Sequence, residues 1–402
     1  MKKAPMTNPF SFGALALDES FADRESELAE LASDIRNGQD VVIFAPRRCG
    51  KSSLVWRAGR MLSAERVLVA QVDLMTTPTK ESLAAALAKS IFEEIASPLE
   101  RVREKALAPF RGLQVQPAIN VNPESGAFSF GFGIGQKEAE IDATLERLLE
   151  LPAELGSARS RSTALVMDEF QEIVAIDPGL PKLLRSVFQR QPEVAHVYLG
   201  SKHHIMERIF DDANEPFWRS AKSIELGMIP AEPFAAFIFD RFHAGERKIE
   251  GVVVEEILAR TGGHPYATQE LCYFLWEQTP AGATATEQRL ELAQAAVLRS
   301  EHAHFSLLWE GASAAQKLLL QALAREPGRP FTGAYRDRHN LPATTNVQKA
   351  LRALVQREVA IGEGGTYRII EPFLAEWLQR PSTTYRNSEE LLPSNCRATI
   401  SS

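Results

Sequence analysis

The sequence predicts an α/β fold: a parallel five-stranded sheet domain, then a helical lid and a C-terminal winged helix-turn-helix. Three observations predict it. Short apolar runs of buried-strand type recur at residues 41–44, 67–72, 164–167, 197–199 and 223–226, mostly separated by helical stretches, as in a sheet covered on both faces. From Pro230 to about Glu301 the pattern turns helical. After it, three helical stretches lead into a pair of strands broken by Gly362, Gly364 and Gly365.

Taken in order, residues 1–20 carry Pro, Gly and Phe without periodicity, and Phe21-Ala-Asp-Arg-Glu-Ser-Glu-Leu28 opens a helix with its acids near the positive N-terminal end. Asn37-Gly38 stops that helix, and the first strand follows at once. Residues 113–134 interrupt the α/β alternation. There Leu113, Val115, Ile119 and Val121, then Phe128, Phe130, Phe132 and Ile134, alternate with polar or small residues around Asn122-Pro-Glu-Ser-Gly126, which predicts a β-hairpin insertion. Helical segments at 233–242, 253–259 and 265–276 form the lid. Segments at 312–324, 332–338 and 344–356 form the winged helix, the last with an apolar stripe of Val347, Leu351, Leu354 and Val355, and residues 359–370 form its wing. The polar, Ser- and Thr-rich stretch after Arg380 predicts disorder. The expected domains are therefore 1–229, 230–301 and 302–380, with 381–402 as a tail.

Composition bounds the function. At 402 residues, and roughly 150 per domain, two or three domains are expected. A formal charge of -7 argues against a chain wrapped in nucleic acid or spread on anionic lipid, though a local basic surface is compatible with it. Cys49, Cys272 and Cys396 are too few and too scattered for a disulfide framework or a zinc cluster, so a reducing cytoplasmic setting is expected. Neither an export signal nor a run of about 18 apolar residues occurs, so no membrane association is expected.

The strongest chemical signal is Ala45-Pro-Arg-Arg-Cys-Gly-Lys-Ser52, between the first strand and a helical stretch beginning at Ser53. A phosphate loop surrounds β and γ oxygens with backbone N–H groups and a helix N-terminus, neutralises them with Lys, and ligates Mg²⁺ through a Ser or Thr hydroxyl. Gly50, Lys51 and Ser52 fill those roles. Ala45 stands where the usual pattern has glycine, which is tolerated provided its φ is negative. The second half of the site is Ala164-Leu-Val-Met-Asp-Glu169, a strand ending in two acids. Asp168 is assigned to the Mg²⁺ shell, directly or through water, and Glu169 to polarising the water that attacks a γ-phosphate.

Those strings, with Asn8-Pro-Phe-Ser-Phe-Gly13, Phe21-Ala-Asp-Arg-Glu25, Met167-Asp-Glu-Phe-Gln171 and Gly262-Gly-His-Pro265, resemble the archaeal-ATPase family of P-loop proteins, near the STAND and AAA+ ATPases. The resemblance implies a core ordered 5-1-4-3-2, ATP and Mg²⁺ as cofactors, and further site residues. The nucleotide-binding set it suggests is Arg24, Ala45, Pro46, Arg47, Arg48, Cys49, Gly50, Lys51, Ser52, Ser53 and Pro265. Arg24 and Glu25 match a motif near the adenine, or else form an ordinary helix start. Ser201 stands at the polar-sensor position after the fourth strand, in a shorter form than the usual Asn. Arg219 is either an arginine finger reaching a neighbouring copy, which would imply a homo-oligomer, or a structural ion pair. Pro265 corresponds to a motif that packs the lid on the nucleotide, with His264 as a helix-start residue.

Gly131, Gly133 and Gly135 fall in an alternating strand, which excludes a dinucleotide fingerprint, and the adjacent His203 and His204 cannot share one helix face as metal ligands do. Cys49 is either an oxidisable thiol or a small loop residue. Two functional classes follow. One is an Mg²⁺-dependent ATPase switch that repositions its lid and winged helix. The other is an ATP-gated DNA binder, similar to origin-recognition or transposition ATPases, with the winged helix as reader. For the second, residues 321–357 hold seven basic residues (Arg325, Arg329, Arg336, Arg338, Lys349, Arg352 and Arg357) against Glu326 and Asp337. Thr345, Asn346, Gln348, Lys349 and Arg352 lie off the apolar stripe. The same surface also suits a protein partner.

Overall fold

The computed structural model describes residues 7–16, 20–95, 118–121, 128–131, 138–201 and 203–380. They divide into two compact units, one within Phe12–Ile229 and one that joins residues 7–11 to residues 230–380.

The first unit runs α1 (Glu25–Arg36), β1 (Val41–Phe44), α2 (Lys51–Ala64), β2 (Leu68–Asp73), α3 (Lys80–Ile95), β3 (Ala118–Val121), β4 (Phe128–Gly131), α4 (Glu138–Arg159), β5 (Thr163–Asp168), α5 (Ile173–Ile176), α6 (Leu180–Phe188), β6 (Val194–Gly200), α7 (His203–Asp211) and β7 (Lys222–Glu225). Its sheet is parallel with the order β2-β5-β6-β1-β7. Counting only the five sheet strands, this is the 5-1-4-3-2 order read from its other edge. The apolar runs exist because both faces are covered. Val42, Phe44, Leu165, Met167 and Tyr198 enter the core beneath α3, α4, α6 and α7, while Val41, Ile43, Ala164, Val166, Val197 and Leu199 enter the core beneath α1 and α2. β7 is an edge strand with only Ile224 buried, which is why its run is the least apolar of the five. β3 and β4 pair antiparallel, as the hairpin pattern predicts; the intervening turn lies outside the described residues.

The second unit continues with α8 (Ala231–Ala244), β8 (Lys248–Ile249), α9 (Gly251–Thr261), α10 (Pro265–Glu277), β9 (Thr284–Ala285), α11 (Glu287–Ser300), α12 (His302–Glu310), α13 (Ala314–Arg325), α14 (Gly333–His339), α15 (Thr344–Gln356), β10 (Ala360–Glu363), β11 (Thr366–Ile369) and α16 (Pro372–Gln379). Ser313 and Gln316 close a capping box at the start of α13. α13 packs against α15 and α16, and β10 pairs antiparallel with β11 as a wing. On α15, Val347, Ala350, Leu351 and Leu354 are buried, while Thr345, Asn346, Gln348, Lys349 and Arg352 are exposed. The tail expected at 381–402 lies outside the described residues.

One sequence expectation needs correction. Residues 1–11 were grouped with the sheet, yet the described part of this segment belongs to the helical unit. Asn8 Nδ2 donates to the Tyr273 carbonyl at 3.1 Å, and the buried Phe10 ring meets Phe242 at 5.5 Å, Phe237 at 6.0 Å and Trp276 at 6.1 Å. Neighbouring residues in the chain pack where their apolar surface is best covered, and Phe10 has an aromatic socket on α8 and α10. Phe10→Ala should therefore destabilise the helical unit by about 3–5 kcal/mol. Urea unfolding followed by tryptophan fluorescence checks this, since Trp276 lines the socket; an unchanged midpoint would contradict it.

Candidate active site

The site forms at the C-terminal ends of three neighbouring parallel strands. Phe44 of β1 pairs with Gly200 of β6, and Met167 of β5 pairs with Tyr198 of β6. The loop after β1, the acids ending β5 and Ser201 after β6 therefore leave the sheet along one edge.

Between β1 and α2 the loop turns through two residues in the left-handed region, Arg48 (φ 62°) and Gly50 (φ 87°). Gly50 is the N-cap of α2, so the positive helix end opens at the loop. Ala45 is buried and is not among the residues with positive φ, so its methyl is accommodated as expected. Lys51 is also buried, and its Nζ donates to the Ala45 carbonyl at 3.0 Å and the Pro46 carbonyl at 3.3 Å. Cys49 packs into the core beneath α1 and α2, which favours its reading as a small structural residue. Arg47 and Arg48 are exposed, and Pro46 is half-buried.

Ser52 Oγ donates to Asp168 Oδ2 at 2.8 Å, and Asp168 Oδ1 accepts from the Glu169 N–H at 2.9 Å. Burial pushes the Asp168 carboxyl above the ordinary carboxylate range, helped by the Glu169 charge and opposed by the Ser52 hydrogen bond, the Glu169 N–H and the Lys51 charge. Glu169 sits in the left-handed region at φ 51°, where β5 turns into the short 3-10 turn Phe170–Glu172. Its Oε2 accepts from Ser201 Oγ at 3.1 Å and from Gln171 Nε2.

Other expected site residues have different surroundings. Ser53 is buried, and its Oγ accepts from the Ala16 N–H at 3.0 Å, so its hydroxyl holds the N-terminal connector. Arg24, also buried, donates to Glu27 at 2.8 Å and to the Gly227 carbonyl at 2.5 Å. Arg219 is exposed in the left-handed region (φ 49°), with its guanidinium 5.4 Å from the Trp218 ring. Pro265 begins α10 in the helical unit, where His264 Nδ1 accepts from the Ala267 N–H as an N-cap. The sequence pattern alone assigns Gln171 no role. The signal was its place two residues after Glu169, on the turn that carries its amide back to that carboxylate.

Residues 21–271 match the family described as an ATPase domain predominantly from Archaea, and residues 303–380 match a probable winged helix domain. The fold is similar to that of a Walker-type ATPase of Pyrococcus abyssi, with TM-score 0.60, 19% identity, and 91% of this chain and 98% of that chain covered. It is also similar to the ORC2 protein of Aeropyrum pernix in ADPNP–ADP complexes, with TM-score 0.53, 12% identity, and 92% and 97% covered. No curated protein matches this chain. No helix among the described residues is long and apolar enough to cross a membrane.

The raised Asp168 carboxyl makes a pH prediction. The folded state holds this proton more tightly than the unfolded chain, so stability falls as pH rises from the ordinary carboxylate value through the folded one, and the penalty persists above it. Asp168→Asn should accordingly raise the melting temperature of the nucleotide-free protein at neutral pH and shrink that gain at acid pH. Equal melting temperatures for the two proteins across the range would overturn the assignment.

Proposed function

Because this chain belongs to the family of ATPase domains found predominantly in Archaea, we propose that it is a Mg²⁺-dependent ATPase that works as a nucleotide-driven switch. The single observation that carries the reading is the Ser52–Asp168 hydrogen bond of 2.8 Å. It brings together the two oxygen groups that the sequence assigns, from positions far apart in the chain, to one cation. Both are hard oxygen donors that would hold Mg²⁺, which would supply positive charge to neutralise the phosphates of ATP.

The chain's own residues do the remainder. Backbone N–H groups of the 45–50 loop and the N-terminus of α2 receive phosphate oxygens, and Lys51 turns its ammonium from the loop carbonyls to the β and γ phosphates. Glu169 orients the attacking water, and Arg219 of a neighbouring copy is the candidate for stabilising transition-state charge in a homo-oligomer. Two contacts support the switch. Ser53 binds Ala16, and Arg24 binds Gly227, so both stretches through which the chain leaves the sheet unit are tied to the first turns of α2 and α1. Movement of the lid and winged helix with nucleotide state is the proposed output.

Lys51→Ala should abolish ATP binding or hydrolysis while leaving the fold intact, and Glu169→Gln should retain Mg²⁺-ATP yet release phosphate at least about 100-fold more slowly. Nucleotide-binding titration and a phosphate-release assay check both. Normal turnover in Lys51→Ala would remove the site from consideration.

A second reading, an ATP-gated DNA binder, is favoured by the exposed polar and basic face of α15. Changing Lys349 and Arg352 to Glu should then weaken DNA binding and flatten the slope of log affinity against log salt by roughly one unit per lost phosphate contact. ATP affinity should stay as it was. Unaltered DNA binding in the double variant, or none in the wild type at any ionic strength, would leave α15 as a protein-docking surface.

A further inference from the structure

Glu169 receives two donors that the phosphate cradle does not require. Gln171 Nε2 and Ser201 Oγ both bind its Oε2, one from the turn that follows β5 and the other from the end of β6. Its Oε1 accepts no hydrogen bond from the described residues. We propose that Gln171 is a positioning residue for ATP hydrolysis, fixing Oε2 together with Ser201 so that Oε1 is the oxygen presented to the attacking water. The inference rests on Glu169 as the water-orienting carboxylate.

Three features carry it. The terminal torsion of a Glu side chain is broad and nearly two-fold, so an unheld carboxylate would exchange its two oxygens freely. Donors from two separate segments remove that freedom, and the Glu169 N–H is already held by Asp168 Oδ1. Second, Gln171 is only 3% exposed, and its Oε1 accepts no hydrogen bond from the described residues. A buried unmet acceptor is destabilising, so packing alone would favour an apolar side chain there. The donated N–H is what the amide contributes. Third, an amide and a hydroxyl are neutral donors. They orient the carboxylate without adding a cationic side chain beside it.

The test measures steady-state hydrolysis of Mg²⁺-ATP by the full chain carrying Gln171→Met, Ser201→Ala or Ser201→Thr, each alone and with Glu169→Gln. Gln171→Met keeps length without a donor and should lower kcat about 10- to 100-fold, the scale of a misplaced catalytic group, with KM for ATP unchanged within about twofold. Ser201→Ala should lower kcat in the same way, and Ser201→Thr, which keeps the hydroxyl, should restore most of it. In the Glu169→Gln background, Gln171→Met should add no further loss, because the group it positions is gone. A wild-type kcat in Gln171→Met, a joint change of kcat and KM, or an undiminished loss in the Glu169→Gln background would overturn the inference while leaving Glu169 in its role. Normal turnover in Glu169→Gln itself would overturn the role and the inference together. Should Gln171→Met fail to fold, the Ser201→Ala and Ser201→Thr pair reads the same positioning through the other donor.

Discussion

The position of β6, paired in parallel with β5 on one side and β1 on the other, is the constraint from which the rest of the site follows. Parallel strands all finish at the same edge, so the loop after Phe44, the acids after Met167 and the residue after Gly200 are brought together by backbone register alone. That register requires apolar side chains on both faces, since a parallel sheet has no solvated side. Val41 and Ile43 point into one core while Val42 and Phe44 point into the other. The same four residues thus bury the sheet and aim the phosphate loop.

Charge is concentrated where that edge meets the N-terminus of α2. Lys51 and Asp168 are both buried, which is costly for ions unless polar partners replace water. Each has them, Lys51 in two loop carbonyls and Asp168 in a hydroxyl and an N–H. Burial still outweighs these bonds for Asp168, whose carboxyl is raised. On the proposed function, a phosphate and a divalent cation supply the opposite charges that the protein groups only approximate. The site is then more stable loaded than empty, which is the energetic source of any switch.

Much of this is legible in the amino-acid sequence. The strand runs, the loop between β1 and α2, and the α15 stripe follow from side-chain periodicity, and periodicity is a local property. What sequence could not supply is direction and distant pairing. Ser53 adjoins Ser52 and carries the same hydroxyl, yet its Oγ accepts from the Ala16 N–H while that of Ser52 donates to Asp168. Arg24 reads as an adenine-side motif or as a helix start, and the pattern does not show that its guanidinium donates to Glu27 and the Gly227 carbonyl. Phe10 lies close to Phe12 in the chain, and only the aromatic socket on α8 and α10 decides which unit it joins. The two-residue pairing of β8 with β9 is too short to leave a pattern at all.

On the proposed function, the Ser53 and Arg24 contacts bear on how a nucleotide signal travels. The Ser53–Ala16 contact is a neutral hydrogen bond, worth about 1 kcal/mol net, and the Arg24–Gly227 contact is charge-assisted and worth about 1.5–3 kcal/mol. Making or breaking both would shift a two-state equilibrium by roughly 10²- to 10³-fold, since each 1.4 kcal/mol is about a factor of ten. Carrying a population from 1:99 to 99:1 takes about 5.5 kcal/mol. The two ties therefore fall short of a complete switch, and on the proposed function the remainder comes from differential binding of the phosphates themselves. On that reading the cradle and the two ties share the driving force, and Ser53 and Arg24 join the first turns of α2 and α1 to the connectors.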